Sequence, residues 1–143
     1  MNSTTNIPKW FFVIAVLAVV WNALGVMAYL SMTFMSTEEF MKLPETQRNL
    51  ELAMPMWAKA AFAIAVFAGF IGSLLLVLKK SIAMFALVLS FIAVCVQQYN
   101  FIYLMDGFNF IDSSAKIMTI MIIVVGVLLI GLAHYANSKN WLK

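Results

Sequence analysis

The sequence predicts an all-α membrane protein: an antiparallel four-helix transmembrane bundle with both termini cytoplasmic. Three observations carry that prediction. Four apolar stretches, about 10–30, 57–78, 81–104 and 115–135, are each long enough to cross a hydrocarbon core of roughly 30 Å at about 1.5 Å per residue. None of them carries a charge in its interior, whereas a soluble bundle would set a charged face against an apolar one on each helix. The charges outside the stretches are also sorted. Lys9, Lys79, Lys80, Lys139 and Lys143 fall on one side without an acidic neighbour. Glu38, Glu39, Glu45, Glu51, Asp106 and Asp112 all fall on the other, with Lys42, Arg48, Lys59 and Lys116. Lysine and arginine mark the cytoplasmic side, which puts the acid-free end inside.

Composition narrows the class further. With 64% hydrophobic and 10% charged residues, the 143-residue chain is far more apolar than a soluble domain and has little mass to place outside a bilayer. Residues 1–143 therefore read as one membrane domain, with no room for a separate catalytic one. The net charge of +3 comes from residues at membrane boundaries and does not indicate nucleic acid. Cys95 is the single cysteine, so neither an intramolecular disulfide nor a CxxC or zinc-type spacing is available.

Taken in order, the first stretch opens after Lys9 at Trp10. Val26-Met27-Ala28 has the small-residue look of a cleavage site, but the apolar run is too long for a signal peptide, so it reads as an uncleaved signal anchor. Within it Asn22, Gly25 and Tyr29 share a stripe, with Trp21 beside them near mid-depth. The outer loop 31–56 is the only substantial extramembrane piece. Ser36-Thr37-Glu38-Glu39 predicts a capping box on a short helix, and Pro44 predicts its end or the start of a second. In the second stretch Ala58, Ala61, Ala65, Ala68 and Gly72 recur every three or four residues, with Gly69 and Ser73 alongside. Small residues at that spacing let helix backbones approach closely, either within the chain or between copies, and Gly126 in the fourth stretch allows the same choice. Lys79-Lys80-Ser81 leaves almost no linker, so stretches two and three form a tight hairpin. Asp106-Gly107 signals a turn, and Asp112-Ser113-Ser114 can cap the last helix. Trp10 and Trp141 are expected at the inner interface and Trp57 at the outer one.

Chemistry concentrates in 95–106, where Gln97, Gln98, Tyr99, Asn100 and Tyr103 interrupt an apolar run. Intramembrane polar groups face protein or a wet cavity because lipid cannot satisfy them. Counting about 1.5 Å per residue from Lys9 and Lys80 puts Asn22 and Gln97 at similar depths, near 20 and 26 Å, within hydrogen-bonding reach if their helices touch. The cluster is read either as an interhelical hydrogen-bond network or as a polar outer pocket lined by Asn22, Tyr29, Gln97, Gln98, Tyr99, Asn100 and Tyr103. Met32, Met35, Met54 and Met56 gather at the outer end, and soft thioethers can take Cu(I), although flexible apolar filler explains them as well. His134 is the only histidine, which rules out two-histidine haem ligation within one subunit. No carboxylate lies within a span and no Ser/His or Cys/His pair stands out, so neither an enzyme nor a cofactor is expected.

Three groups of residues together resemble a family of small bacterial four-span proteins, often labelled automatically as sugar transporters. They are Trp21-Asn22 with Gly25 and Tyr29, Met54-Pro55 with Trp57, and Ala65, Gly69 and Gly72-Ser73-Leu74-Leu75 before a basic turn. The resemblance implies a multi-pass protein of the bacterial inner membrane and no particular substrate. A four-helix bundle is expected to fill its own centre with side chains, so the expected function is a transporter or channel-like protein for a small solute that works as a homo-oligomer or with a partner subunit. The alternatives are an accessory or assembly subunit docking through the small-residue face, and a quinone- or lipid-binding membrane protein.

Overall fold

The computed structural model describes residues 6–143 and is all-helical. Helix α1 spans Lys9–Thr33. Two short helices come next, α2 (Thr37–Lys42) and α3 (Glu45–Ala53), and then α4 spans Met56–Val77. Helix α5 (Ala83–Tyr99) runs on into a π-helical turn, Asn100–Leu104, and a 3-10 turn, Gly107–Asn109, leads to α6 (Ser113–Ser138). Helices α1, α4, α5 with its π turn, and α6 are long and apolar enough to cross a membrane.

Local chemistry explains where these elements start. All three prolines of the chain stand at helix starts, Pro8, Pro44 and Pro55, where a ring-fixed φ suits an N-cap and a missing N–H costs nothing. Helix α2 opens on the expected capping box. The Glu39 N–H donates to Ser36 Oγ at 3.2 Å, and the Ser36 N–H donates to Glu39 Oε2 at 3.0 Å. Asp112 caps α6 by accepting the Ala115 N–H at 2.8 Å. A Lys59–Glu51 ion pair at 2.9 Å ties α3 to the first turn of α4.

Two helix ends shape the bundle more than the starts do. Lys79 ends α4 in the left-handed region (φ 58), letting the Lys80 N–H reach back to Leu75 O at 2.8 Å. Asn140 does the same for α6 (φ 56), with the Trp141 N–H donating to Ala136 O at 2.9 Å. Both are Schellman-type closures. They bring two turns together: the Lys143 N–H donates to Lys79 O at 2.7 Å and the Ser81 N–H to Lys143 O at 3.0 Å. This pairing holds Trp141 and Leu142 against the core, where both are buried.

The long helices pack in chain order, α1 on α4, α4 on α5 and α5 on α6. The α4 stripe makes these contacts possible. Ala58, Ala61, Ala65, Gly69 and Gly72 are buried, while Ala68 is half-buried at the stripe's edge. A Cβ at Gly72 would stand 2.8 Å from Leu87 Cγ, so only glycine lets α5 come this close. Gly25 meets Val66 on α4, and Gly126 meets Phe91 on α5. The small residues thus serve packing within one chain.

Helices α1 and α6, in contrast, meet chiefly at one end. There Phe11, Ala15 and Ala18 join Leu76, Ala133, Ala136 and Trp141 in a single buried cluster. Trp10, Phe11, Tyr135 and Trp141 stack edge to face, with Phe11 and Trp141 centroids 5.5 Å apart. Trp141 is therefore a core residue of this end. Its burial comes from the Asn140 turn, which the sequence pattern does not announce.

Candidate functional site

Above that aromatic end the bundle is hollow. A cavity of about 330 Å³ lies among α1, α4, α5 and α6. The expectation that the helices fill their own centre is thus corrected, and the reason is geometric. The glycine and alanine stripe draws α4 tightly to α1 and α5, but α6 packs mainly on α5 and touches α1 at the aromatic end, leaving space between α6 and α1 above it. Trp21, Leu24 and Gly25 line the cavity from α1, and Phe62, Ala65 and Val66 from α4. Leu87, Ser90, Phe91, Val94 and Gln97 line it from α5, and Met118, Ile122, Val125 and Gly126 from α6. The wall is mainly hydrocarbon and aromatic ring, with Asn22, Ser90, Gln97 and the Trp21 indole as its polar groups.

Asn22 belongs to a compact node at the inner part of this cavity. Its Nδ2 donates to Ala18 O at 2.8 Å on its own helix. Its Oδ1 lies so close to Gly69 that any β-carbon there would collide with it and would also stand 2.9 Å from Ser90 Oγ. Ser90 in turn donates to Ala65 O at 2.6 Å, a hydrogen bond from α5 to α4. The hydroxyl is thereby satisfied in a region where an orphaned polar group would be costly.

This node revises the depth estimate. Asn22 is level with Gly69 and Ser90, and from Ser90 to Gln97 helix α5 advances about 10 Å. Asn22 and Gln97 therefore face the same cavity at different heights, and Asn22 bonds to its own helix instead of to Gln97. The error lay in the datum: the helix carrying Lys9 starts further toward the aromatic end than the turn carrying Lys80.

The other residues expected in a polar pocket disperse. Tyr29 packs edge-on against Phe62 and Phe67, with centroids 5.4 and 5.9 Å away. Tyr99 and Tyr103 stack on each other at 5.6 Å and face outward, 55% and 74% exposed. Asn100 is buried and donates to Met105 Sδ at 3.1 Å, within the turn whose wider i→i+5 spacing is closed by the Met105 N–H to Asn100 O at 2.9 Å. Gln98 is also buried, with no partner for Oε1 among the described residues. Of the seven, only Asn22 and Gln97 line the cavity. The exposed face of α5 collects Cys95, Tyr99 and Tyr103 together.

At the loop end, Met35 lines a shallow depression with Ser31, Phe34, Glu39, Lys42 and Leu43, and Met56 is 80% exposed. Met32 and Met54 do not line that depression. Among the described residues no three His, Cys, Asp or Glu side chains group as metal ligands. Hydrogen bonds from the Ser36 backbone and hydroxyl hold the Glu39 carboxyl below its ordinary value.

Sequence reasoning missed Phe91, Val94, Met118 and Ile122 as cavity residues, and it found no environment for Trp21. A signal existed only for Trp21: a large indole at mid-span next to an asparagine needs somewhere to place both its ring and its N–H. Compared with protein-family models, curated proteins and solved structures, the chain matches none.

Proposed function

We propose that the protein is a multi-pass membrane protein whose intramembrane cavity binds a small, mainly apolar molecule. The cavity itself is the observation that carries this reading. Its volume lies at the lower end of ordinary ligand sites, and an apolar wall with a few placed amides is the usual composition of such sites. The protein acts in this proposal as a binding protein and not as an enzyme, since the polar groups on the wall are neutral amides, a hydroxyl and an indole.

The proposal extends to membrane orientation. Residue numbers rise along one helix as they fall along its neighbour, Asn22 with Gly69 and Gly25 with Val66, then Gly72 with Leu87 and Gly69 with Ser90. These pairs support an antiparallel bundle. The acid-free lysines share its aromatic end, through the Lys79–Lys143 hydrogen bond and the Trp10–Trp141 contact. That supports both termini on the cytoplasmic side of a bacterial inner membrane.

Transport or channel-like passage of a small solute through a polar pocket of seven residues draws less support, because Tyr99 and Tyr103 point away and the cavity wall is apolar. An accessory subunit docking through the α4 stripe also draws less, since that stripe is covered by α1 and α5. The test is retention. Protein purified in mild detergent is extracted with organic solvent and the co-purifying small molecules are quantified per chain. Val94→Trp, which places an indole in the cavity, is expected to lower their amount by about tenfold, the equivalent of 1.4 kcal/mol of binding. Equal amounts of the same compounds on both proteins would sink the proposal.

A further inference from the structure

Resting on that binding reading, we infer that the ligand is a single-chain amphiphile that enters sideways from the bilayer between α1 and α6. The cavity has a rim. Leu24 on α1 and Met118 on α6 line it, yet they are 58% and 50% exposed, so both lie where the cavity meets the outside of the bundle. Ala28 lines it as well and is exposed. These residues belong to the two long helices that do not pack along their length and are joined instead at the aromatic end by Phe11 and Trp141. The opening is therefore a slot with one closed end.

The slot faces the side of the bundle among apolar residues of the half of α1 and α6 away from the aromatic end. What reaches it there is whatever dissolves in hydrocarbon, because a hydrated solute would first have to shed its water into lipid. Size narrows the class. A cavity of about 330 Å³ lies at the small end of ordinary ligand sites, a size that suits one chain or a small ring system better than a two-chained phospholipid. The polar groups then set the direction. At the inner node Asn22 and Ser90 already have hydrogen bonds within the protein. Gln97 stands about 10 Å further along α5, where it lines the cavity. A chain lying along Leu87, Phe91 and Val94 would bring its hydroxyl, carbonyl or carboxyl group to Gln97, the end nearer the membrane surface.

Trp21 is the reporter. The full-length protein and Trp21→Phe are reconstituted in phospholipid vesicles, and the difference between their emissions isolates Trp21. Three quenchers are compared: a brominated single-chain fatty acid, a phospholipid brominated on its chains at equal bromine, and aqueous iodide. Saturable loss of most of the Trp21 emission with the fatty acid, and little with the other two, is the expected result. Gln97→Leu is expected to raise the fatty-acid concentration needed, and Met118→Phe, at the rim, to weaken its quenching while leaving that by phospholipid unchanged. Equal quenching by the brominated phospholipid would mean that Trp21 merely faces bulk lipid, and would overturn the inference. Quenching by iodide as strong as by the fatty acid would mean a water-filled site, overturning the lipid class while leaving the binding proposal standing. No quenching by any of the three would overturn sideways entry. The binding proposal itself fails only if Val94→Trp retains the co-purified molecules.

Discussion

The two halves of this bundle use the same kinds of helix and end in opposite states. At the aromatic end α1, α4 and α6 converge on Phe11, Leu76 and Trp141, and the segment after α6 is pinned to the α4–α5 turn by two backbone hydrogen bonds. In the other half α1 and α6 separate around a cavity. The difference teaches that in a chain this apolar, packing is decided by side-chain volume and backbone approach and not by hydrophobicity. Both halves are apolar; at the aromatic end Phe11 and Trp141 bridge α1 to the segment after α6, whereas in the other half the rings of Trp21, Phe62 and Phe91 line the cavity.

Removing the plug gives the largest expected effect. Trp141→Ala should cost about 3–5 kcal/mol, the range for truncating a buried tryptophan, read as a lower unfolding midpoint in a denaturing-detergent titration followed by circular dichroism. A midpoint within error of the wild type would mean that this end is not the anchor of the bundle. The comparison is broken more directly by adding the same ring to each half. Ala133→Phe, in the filled half, should destabilise by about 1–3 kcal/mol through overpacking, whereas Val94→Phe should cost less than about 1 kcal/mol because the cavity accepts it. Equal penalties would argue against a real void. Ser90→Ala, which removes the α5-to-α4 hydrogen bond, is expected to cost only about 0.6 kcal/mol, the mean for such bonds in membranes.

The smallest effect lies outside the bundle. Glu39 caps α2 and its folded pKa is depressed below the ordinary 4.5, chiefly by the Ser36 backbone N–H and then by the Ser36 hydroxyl. A depressed carboxylate contributes its support fully above the ordinary pKa and loses it as pH falls through the folded value. Amide protection in α2, taken relative to the intrinsic exchange rate at each pH, should therefore fall on acidification, and Glu39→Gln should flatten that dependence. Protection unchanged by acid in the wild type would remove Glu39 as the cap.

Features read from neighbouring residues were legible in advance. The four long helices, the Ser36–Glu39 box, the Asp112 cap and the turn at Asp106 arise from local chemistry, which needs no tertiary contact. Rotation and depth were not legible. A helix apolar on every side gives no strong face, so the outward direction of Tyr99 and Tyr103 had no hydropathy signal. The four-residue spacing of Cys95, Tyr99 and Tyr103 puts them on one face, which persists into the π turn at Asn100–Leu104, but it does not say which way that face turns. Depth failed for Asn22 because Lys9 and Lys80 are not level.

What the sequence by itself determined is the inventory: four helices long enough to span, where they start, and a second long helix narrow enough on one side to be approached closely. Only the tertiary structure decided how that narrow side is used. It seats Asn22 and Ser90 beside Gly69, so α1 and α5 both crowd α4, and α6 meets α1 chiefly at the end where Trp141 packs. Hydropathy says that a helix prefers lipid or protein to water; it does not say which neighbour, at what rotation, or with how much space between.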